Sequence, residues 1–359
     1  STPIHWVKWR LRRFAPLLIA SALVSGTPPA SGQPKDPGRP ETTVQIQPQT
    51  ISDTPYFPQR VLWAGAATPA PRETQALRDT LEQMWHMEPA QWEPWLESWA
   101  LTRPESPWTP SLATNLAQHY RQIGRYSKAL ELWEYAWKLV ANYEGGDTGT
   151  IRSQILGHWT QLLSRLGRVD RLIELHKLVG DDPLDSGPFK VQFDRSGEAT
   201  HVMVNKPGRA YRCGTLALYN VAKSLGKTEE EVGALVIEPS PDTGFALSRL
   251  KAFAGAMGID VELARGRTKE AIAVPSVVHW KSNHYAAIID EREGQYLVVD
   301  PTFGTQRWLR KEVVQEEASG HFLIPTSKRD RSRFADLQAN DAARVFGRGY
   351  AEAFDDDSD

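Results

Sequence analysis

The chain has 359 residues, enough to bury a substantial core and to hold more than one folded unit. Its formal charge of −2 leaves no basic excess to displace counterions from phosphates, which argues against nucleic-acid binding. A single cysteine, Cys213, excludes an internal disulfide, and no His or Cys pairing has metal-ligand spacing, so neither metal nor cofactor is expected. At the N-terminus Lys8, Arg10, Arg12 and Arg13 precede an apolar run, FAPLLIASALV, and then small, turn-forming residues. This pattern predicts a signal peptide over residues 1–30 and an exported protein, periplasmic or extracellular. The run is short for a membrane span, so contact with a membrane is expected only if the segment stays uncut. Residues 31–72 are rich in Pro, Gln and Thr without a sustained apolar period and read as a flexible linker.

From residue 73 to 180 apolar residues recur at helical spacing, with breaks at Pro104, Gly145-Gly146 and Gly167. Trp85, Trp92, Trp95, Trp99, Trp108, Trp133, Trp137 and Trp159 gather there and read as helix packing before they read as a peptide groove. The segment SLATNLAQHYRQIGRYSKALELWEYAWKLV resembles a tetratricopeptide repeat through Ala117, Tyr120, Gly124, Tyr126, Ala129, Trp133 and Ala136. A weaker second copy aligns on Gly167 and Leu172, at a wider spacing than the family's repeat. The resemblance implies an all-α, repeat-like domain with a surface for a protein partner.

After Gly180 the pattern changes. Residues 191–204 alternate enough for a short hairpin, 213–225 form an amphipathic helix, and Thr228 with Glu229, Glu230 and Glu231 caps the next. A third helix is expected over 243–257, closed by Gly258. Strands follow at 260–263, 271–280, 284–290, 295–300 and 320–325. Helices followed by a mostly antiparallel sheet make residues 181–325 an α+β domain. Residues 326–359, charged and ending in FDDDSD, read as a flexible tail or as the cut edge of a longer chain.

Three residues of this domain carry candidate chemistry. Cys213 opens a helix, where the positive end of the dipole favours a thiolate. Gly214 behind it leaves room for a substrate carbonyl. His284 opens a strand and can take the thiol proton and return it to a leaving amine. Asp300 ends the next strand and can orient the imidazole. A turn at 291–294 makes the two strands a hairpin, which brings His284 and Asp300 to one end of the sheet. His201, His279 and His321 read as structural.

Cys213-Gly214-Thr215, His284-Tyr285 and Asp300-Pro301 with Gly304 together resemble the papain-like cysteine peptidases that trim bacteriocin and peptide-pheromone leaders after a double glycine. The resemblance covers about residues 200–325. It implies a Cys213–His284–Asp300 catalytic set and a peptide or protein substrate. The family places a Gln six residues before the cysteine as an oxyanion donor, where this chain has Pro207. Asn205 is the nearest side-chain amide and the candidate replacement, with Arg209 and Arg212 in reserve. Two other readings start from the same residues: a transglutaminase-like enzyme, disfavoured because no Trp soon follows His284, and a non-cleaving binding or targeting module at the N-terminus of a larger secreted protein.

Overall fold

The computed structural model describes residues 47–180, 184 and 186–351. The expected signal peptide, the first part of the expected linker and the acidic end at 352–359 lie outside the described residues.

Prolines start the helical half. Pro48, Pro71, Pro89 and Pro188 each occupy the first turn of a helix, where the missing N–H has no partner to lose. The helices are α1 (Pro48–Asp53), α2 (Pro71–Met84), α3 (Pro89–Leu101), α4 (Thr109–Ile123), α5 (Tyr126–Val140), α6 (Thr148–Arg165), α7 (Val169–Val179) and α8 (Pro188–Asn205). The pairs α4/α5 and α6/α7 turn at Gly124 (φ 93°) and Gly167 (φ 62°), left-handed positions that suit glycine. Ala113 and Ala117 of α4 and Ala129 and Ala136 of α5 are fully buried, which lets the helices approach closely. Trp108, Trp133 and Trp159 fill the core, whereas Trp85 stays 54% exposed.

Two expectations are corrected here. From residue 47 onward the linker is folded. Ile51 and Val61 are fully buried, and the Ser52 hydroxyl donates to the Val61 carbonyl at 2.8 Å. Its apolar residues are few, but nearly all are used, which an average over composition conceals. The expected hairpin at 191–204 is helix α8. Its buried residues Phe193, Ser196, Ala199 and Met203 follow a helical period, and Gly157 of α6 lies so close that a Cβ there would sit 2.7 Å from the Phe189 carbonyl oxygen.

The second half comprises α9 (Cys213–Ser224), α10 (Glu229–Val232), α11 (Ala234–Ile237), β1 (Phe245–Ala246), α12 (Leu247–Ala256), β2 (Val261–Gly266), β3 (Ser276–Trp280), β4 (His284–Arg292), β5 (Gln295–Asp300), β6 (Thr305–Arg310), α13 (Lys311–Glu317), β7 (Ala318–Pro325), β8 (Phe334–Asp336), α14 (Ala339–Ala342) and β9 (Phe346–Gly347). The chain is therefore α+β. Seven strands form an antiparallel sheet in the order β6-β5-β4-β3-β7-β2-β8. Alternation along the strands splits the core: Val277, Tyr285, Ala287 and Leu323 pack toward α9 and α12, and Val278, Ala286, Ile288 and Phe322 join a second cluster with Val314 of α13. The third helix begins later than expected because Phe245 and Ala246 pair with Gly347 and Phe346 instead.

The expected flexible tail is also corrected, over residues 326–351. Phe334, Ala342, Val345 and Tyr350 are buried, and β8 extends the sheet beside β2. The local charge is paired, since Arg329 bonds both Glu262 and Asp336.

Buried carboxylates tie the helices to the sheet. Glu93 of α3 meets Arg125 at 2.6 Å, Arg310 of β6 at 2.9 Å and His119 at 3.0 Å. Burial opposes its ionisation, but these partners prevail and hold its carboxyl below the usual range. Glu317, at the end of α13, accepts from the Ser127 hydroxyl at 2.9 Å and from the Ser127 backbone N–H. Burial dominates there and raises its pKa from 4.5 to about 7. Between those values the folded protein keeps a proton that the unfolded chain releases, so stability falls as pH rises from about 4.5 to about 7. Glu317→Gln should therefore match the wild type in urea unfolding at pH 4 and exceed it at pH 8, by an amount on the order of 3 kcal/mol.

Candidate active site

Helix α9 begins at Cys213, so the thiol sits at the positive end of the helix. The helix lies against β4 through Gly214, where an added Cβ would stand 3.0 Å from Leu250 and 3.2 Å from Tyr285. Gly214 is buried by these side chains. Its small size allows the helix to press onto the sheet.

His284 opens β4 and Asp300 closes β5, and the hairpin brings them together: His284 Nε2 lies 2.7 Å from Asp300 Oδ2. Cys213 and His284 are fully buried, and Asp300 is 2% exposed. The second imidazole nitrogen, Nδ1, has no aligned hydrogen-bond partner, but the Cys213 side chain is near enough to act on it electrostatically. Burial alone would lower the His284 pKa. The Asp300 charge and hydrogen bond, helped by Cys213, outweigh it and raise the value to about 10. The neighbouring carboxylate thus favours the charged form of the imidazole.

The turn after Asp300 adds a further group. Phe303 places its ring edge-on to His284 at 5.9 Å, and Gly304 (φ 61°) returns the chain into β6. Tyr126 of α5 stacks on Phe303 at 4.7 Å, and its hydroxyl accepts from Arg307 at 2.7 Å. The helical half therefore braces the wall behind the imidazole. Neither Phe303 nor Tyr126 stood out as a site residue in the sequence, because Tyr126 matched a helix-pair pattern and Phe303 was one aromatic among many.

Asn205 is engaged with His201 one turn back along its own helix. Its amide nitrogen donates to the His201 carbonyl at 2.9 Å and contacts His201 Nδ1 at 3.1 Å, on the exposed end of α8. Asn205 is the last residue of α8, which carries the amide along its own surface. His279 is buried between Ser319 and the Phe346 carbonyl, each at 2.8 Å, as a structural residue should be.

The largest difference from expectation is above the thiol. The Gly349 N–H donates to Cys213 Sγ at 3.1 Å, so a segment taken for a mobile tail lies on the site. Beside it is a cavity of about 440 Å³ lined by Gly167, Arg168, Asp170, Thr243, Asn283 and Arg348.

Residues 203–330 match the model of a family described as the peptidase C39 family. The match contains Cys213, His284 and Asp300 and supports the resemblance to the double-glycine peptidases, so this part of the chain is a cysteine peptidase-type domain. No curated protein matches the chain, and no solved structure does.

The charge on His284 should depend on its carboxylate partner. In Asp300→Asn, burial loses its strongest opponent, and the His284 pKa should drop by about two pH units or more, read from the imidazole Hε1 resonance in an NMR titration. An unchanged resonance would show that Asp300 does not set the imidazole charge.

Proposed function

We propose that the chain is an exported cysteine endopeptidase that cleaves a protein or leader peptide with Cys213 as nucleophile, His284 as acid and base, and Asp300 as the residue that orients the imidazole. The observation that carries this reading is the buried juxtaposition of a helix-start thiol and an imidazole held 2.7 Å from a carboxylate. Cys213 Sγ attacks the substrate carbonyl, and the Cys213 backbone N–H, in the first helical turn and free of an intrahelical acceptor, is one donor for the oxyanion. The His284 imidazolium passes its proton to the leaving amine. Water then cleaves the thioester, giving a proton to His284 and releasing the new carboxylate.

A second reading is a peptidase-shaped binding module that no longer cleaves. Pro207 stands where the family has its oxyanion Gln, and Asn205 is committed to His201. Losing one such donor costs about 100- to 1000-fold in rate. Hydrolysis of synthetic leader-like peptides separates the two readings. The peptidase should release products that Cys213→Ala does not, with a drop of about 1000-fold or more. Peptide binding without any Cys213-dependent hydrolysis would favour the module.

The basic-then-apolar N-terminus supports the export reading. Expressed in a bacterium with a start codon added, the protein should leave the cytoplasm and lose its first 26 to 32 residues or so. Intact N-terminal peptides from cytoplasmic protein, identified by mass spectrometry, would remove it.

A further inference from the structure

Residues 345–351 cross the site as an extended peptide, and most of the N–H groups along them are held. The Val345 carbonyl accepts from the Leu247 N–H at 2.9 Å and from the Tyr285 hydroxyl at 2.7 Å. Phe346 and Gly347 pair antiparallel with Ala246 and Phe245. The Arg348 N–H donates at 2.9 Å to the carbonyl of Asn283, the residue just before His284. The Gly349 N–H reaches Cys213 Sγ at 3.1 Å, and the Tyr350 N–H reaches the Arg165 carbonyl, also at 3.1 Å. This is how a peptide ligand adds to a strand edge, except that the ligand belongs to the same chain.

Two glycines make the fit. A Cβ at 347 would lie 2.2 Å from the Tyr285 ring. One at 349 would lie 2.1 Å from His284 Nδ1 and 2.8 Å from Cys213 Cβ. Between them the Arg348 side chain lines the cavity, with Nε donating to the Thr243 carbonyl at 3.1 Å and the guanidinium 5.9 Å over the Tyr211 ring.

The orientation of the Arg348–Gly349 amide decides what this contact does. Its N–H points at the sulfur. In a trans amide the carbonyl then points the opposite way, and here it faces Gly167, where an added Cβ would be 1.8 Å from the Arg348 oxygen. Attack on a carbonyl carbon requires the sulfur above the amide plane, whereas this bond presents its edge. It is held at the nucleophile and not aligned for cleavage.

We propose that residues 345–351 are an intramolecular pseudosubstrate, which fills the peptide cleft, covers Cys213 and must leave before another peptide can enter. The inference rests on reading this cleft as a peptide-cleaving site. Its ligand chemistry is an extended Gly-Arg-Gly peptide, the middle side chain in the cavity and the second glycine against the thiol.

Cys213 is the only cysteine, so alkylation of the full chain by iodoacetamide reports one site. Wild type should label slowly, and Gly349→Ala, whose methyl has no room, should label faster by about tenfold or more. Arg348→Ala, which removes only the anchoring side chain, should also label faster and carries the comparison if Gly349→Ala loses its cooperative melt. Added peptide VFGRGYA should slow labelling of the variants again, and VFGRAYA should not. Variants that fold and label at the wild-type rate, or peptide that fails to protect them, would overturn the proposal. Hydrolysis of a reporter peptide is followed in parallel. Uncovered variants without hydrolysis leave the pseudosubstrate standing and refute the peptidase reading. Wild type hydrolysing as fast as the variants overturns the pseudosubstrate and leaves the peptidase.

Discussion

A carboxylate without solvent has to be matched by polar partners, and at Glu93 those partners come from three places in the chain. His119 lies on α4, Arg125 at the α4–α5 turn, and Arg310 on the outermost strand of the sheet. Arg125 and Arg310 share the compensation of this buried charge, one from each half of the structure. The helical half and the sheet are therefore fixed against each other at β6, and Ser127–Glu317 makes a second attachment nearby. Everything about the cleft depends on this fixed relation, because its walls come from both halves.

The consequence for the site is physical. Tyr126 braces Phe303, which stands against the imidazole, and Gly167, from the α6–α7 turn, receives the Arg348 carbonyl. The helical half thus shapes the approach to Cys213 as well as carrying its own core. A change in how the helices sit on the sheet would be felt at His284 without altering Cys213, His284 or Asp300. The family match begins at residue 203 and leaves most of these bracing residues outside it.

Water exclusion gives the site its electrical character. An imidazole with no exposed surface would ordinarily be neutral, yet Asp300 at 2.7 Å pushes its pKa up and favours the charged form. The same exclusion is completed from above by backbone, since only glycine fits at 349. Burial at the thiol is thus a property of the tail as much as of the peptidase domain.

The sequence by itself determined the local chemistry: a helix beginning at Cys213, a hairpin bringing His284 to Asp300, and an α+β order of elements. These rest on short-range signals, namely helix periodicity, strand alternation and a turn between two adjacent strands, each legible within some twenty residues. Tertiary structure alone decided the rest. Residues 191–204 could alternate as a strand or wind as a helix, and packing against Gly157 selected the helix. That choice placed Asn205 at the end of α8, bonded to His201. Residues 326–351 look polar on average, and only the sheet edge at β2, the strand at Phe245 and the floor made by Tyr285 gave their scattered apolar residues somewhere to be buried. Gly349 has no local signature, because the need for glycine there arises from His284 and Cys213, both distant in sequence and brought beneath it by the fold.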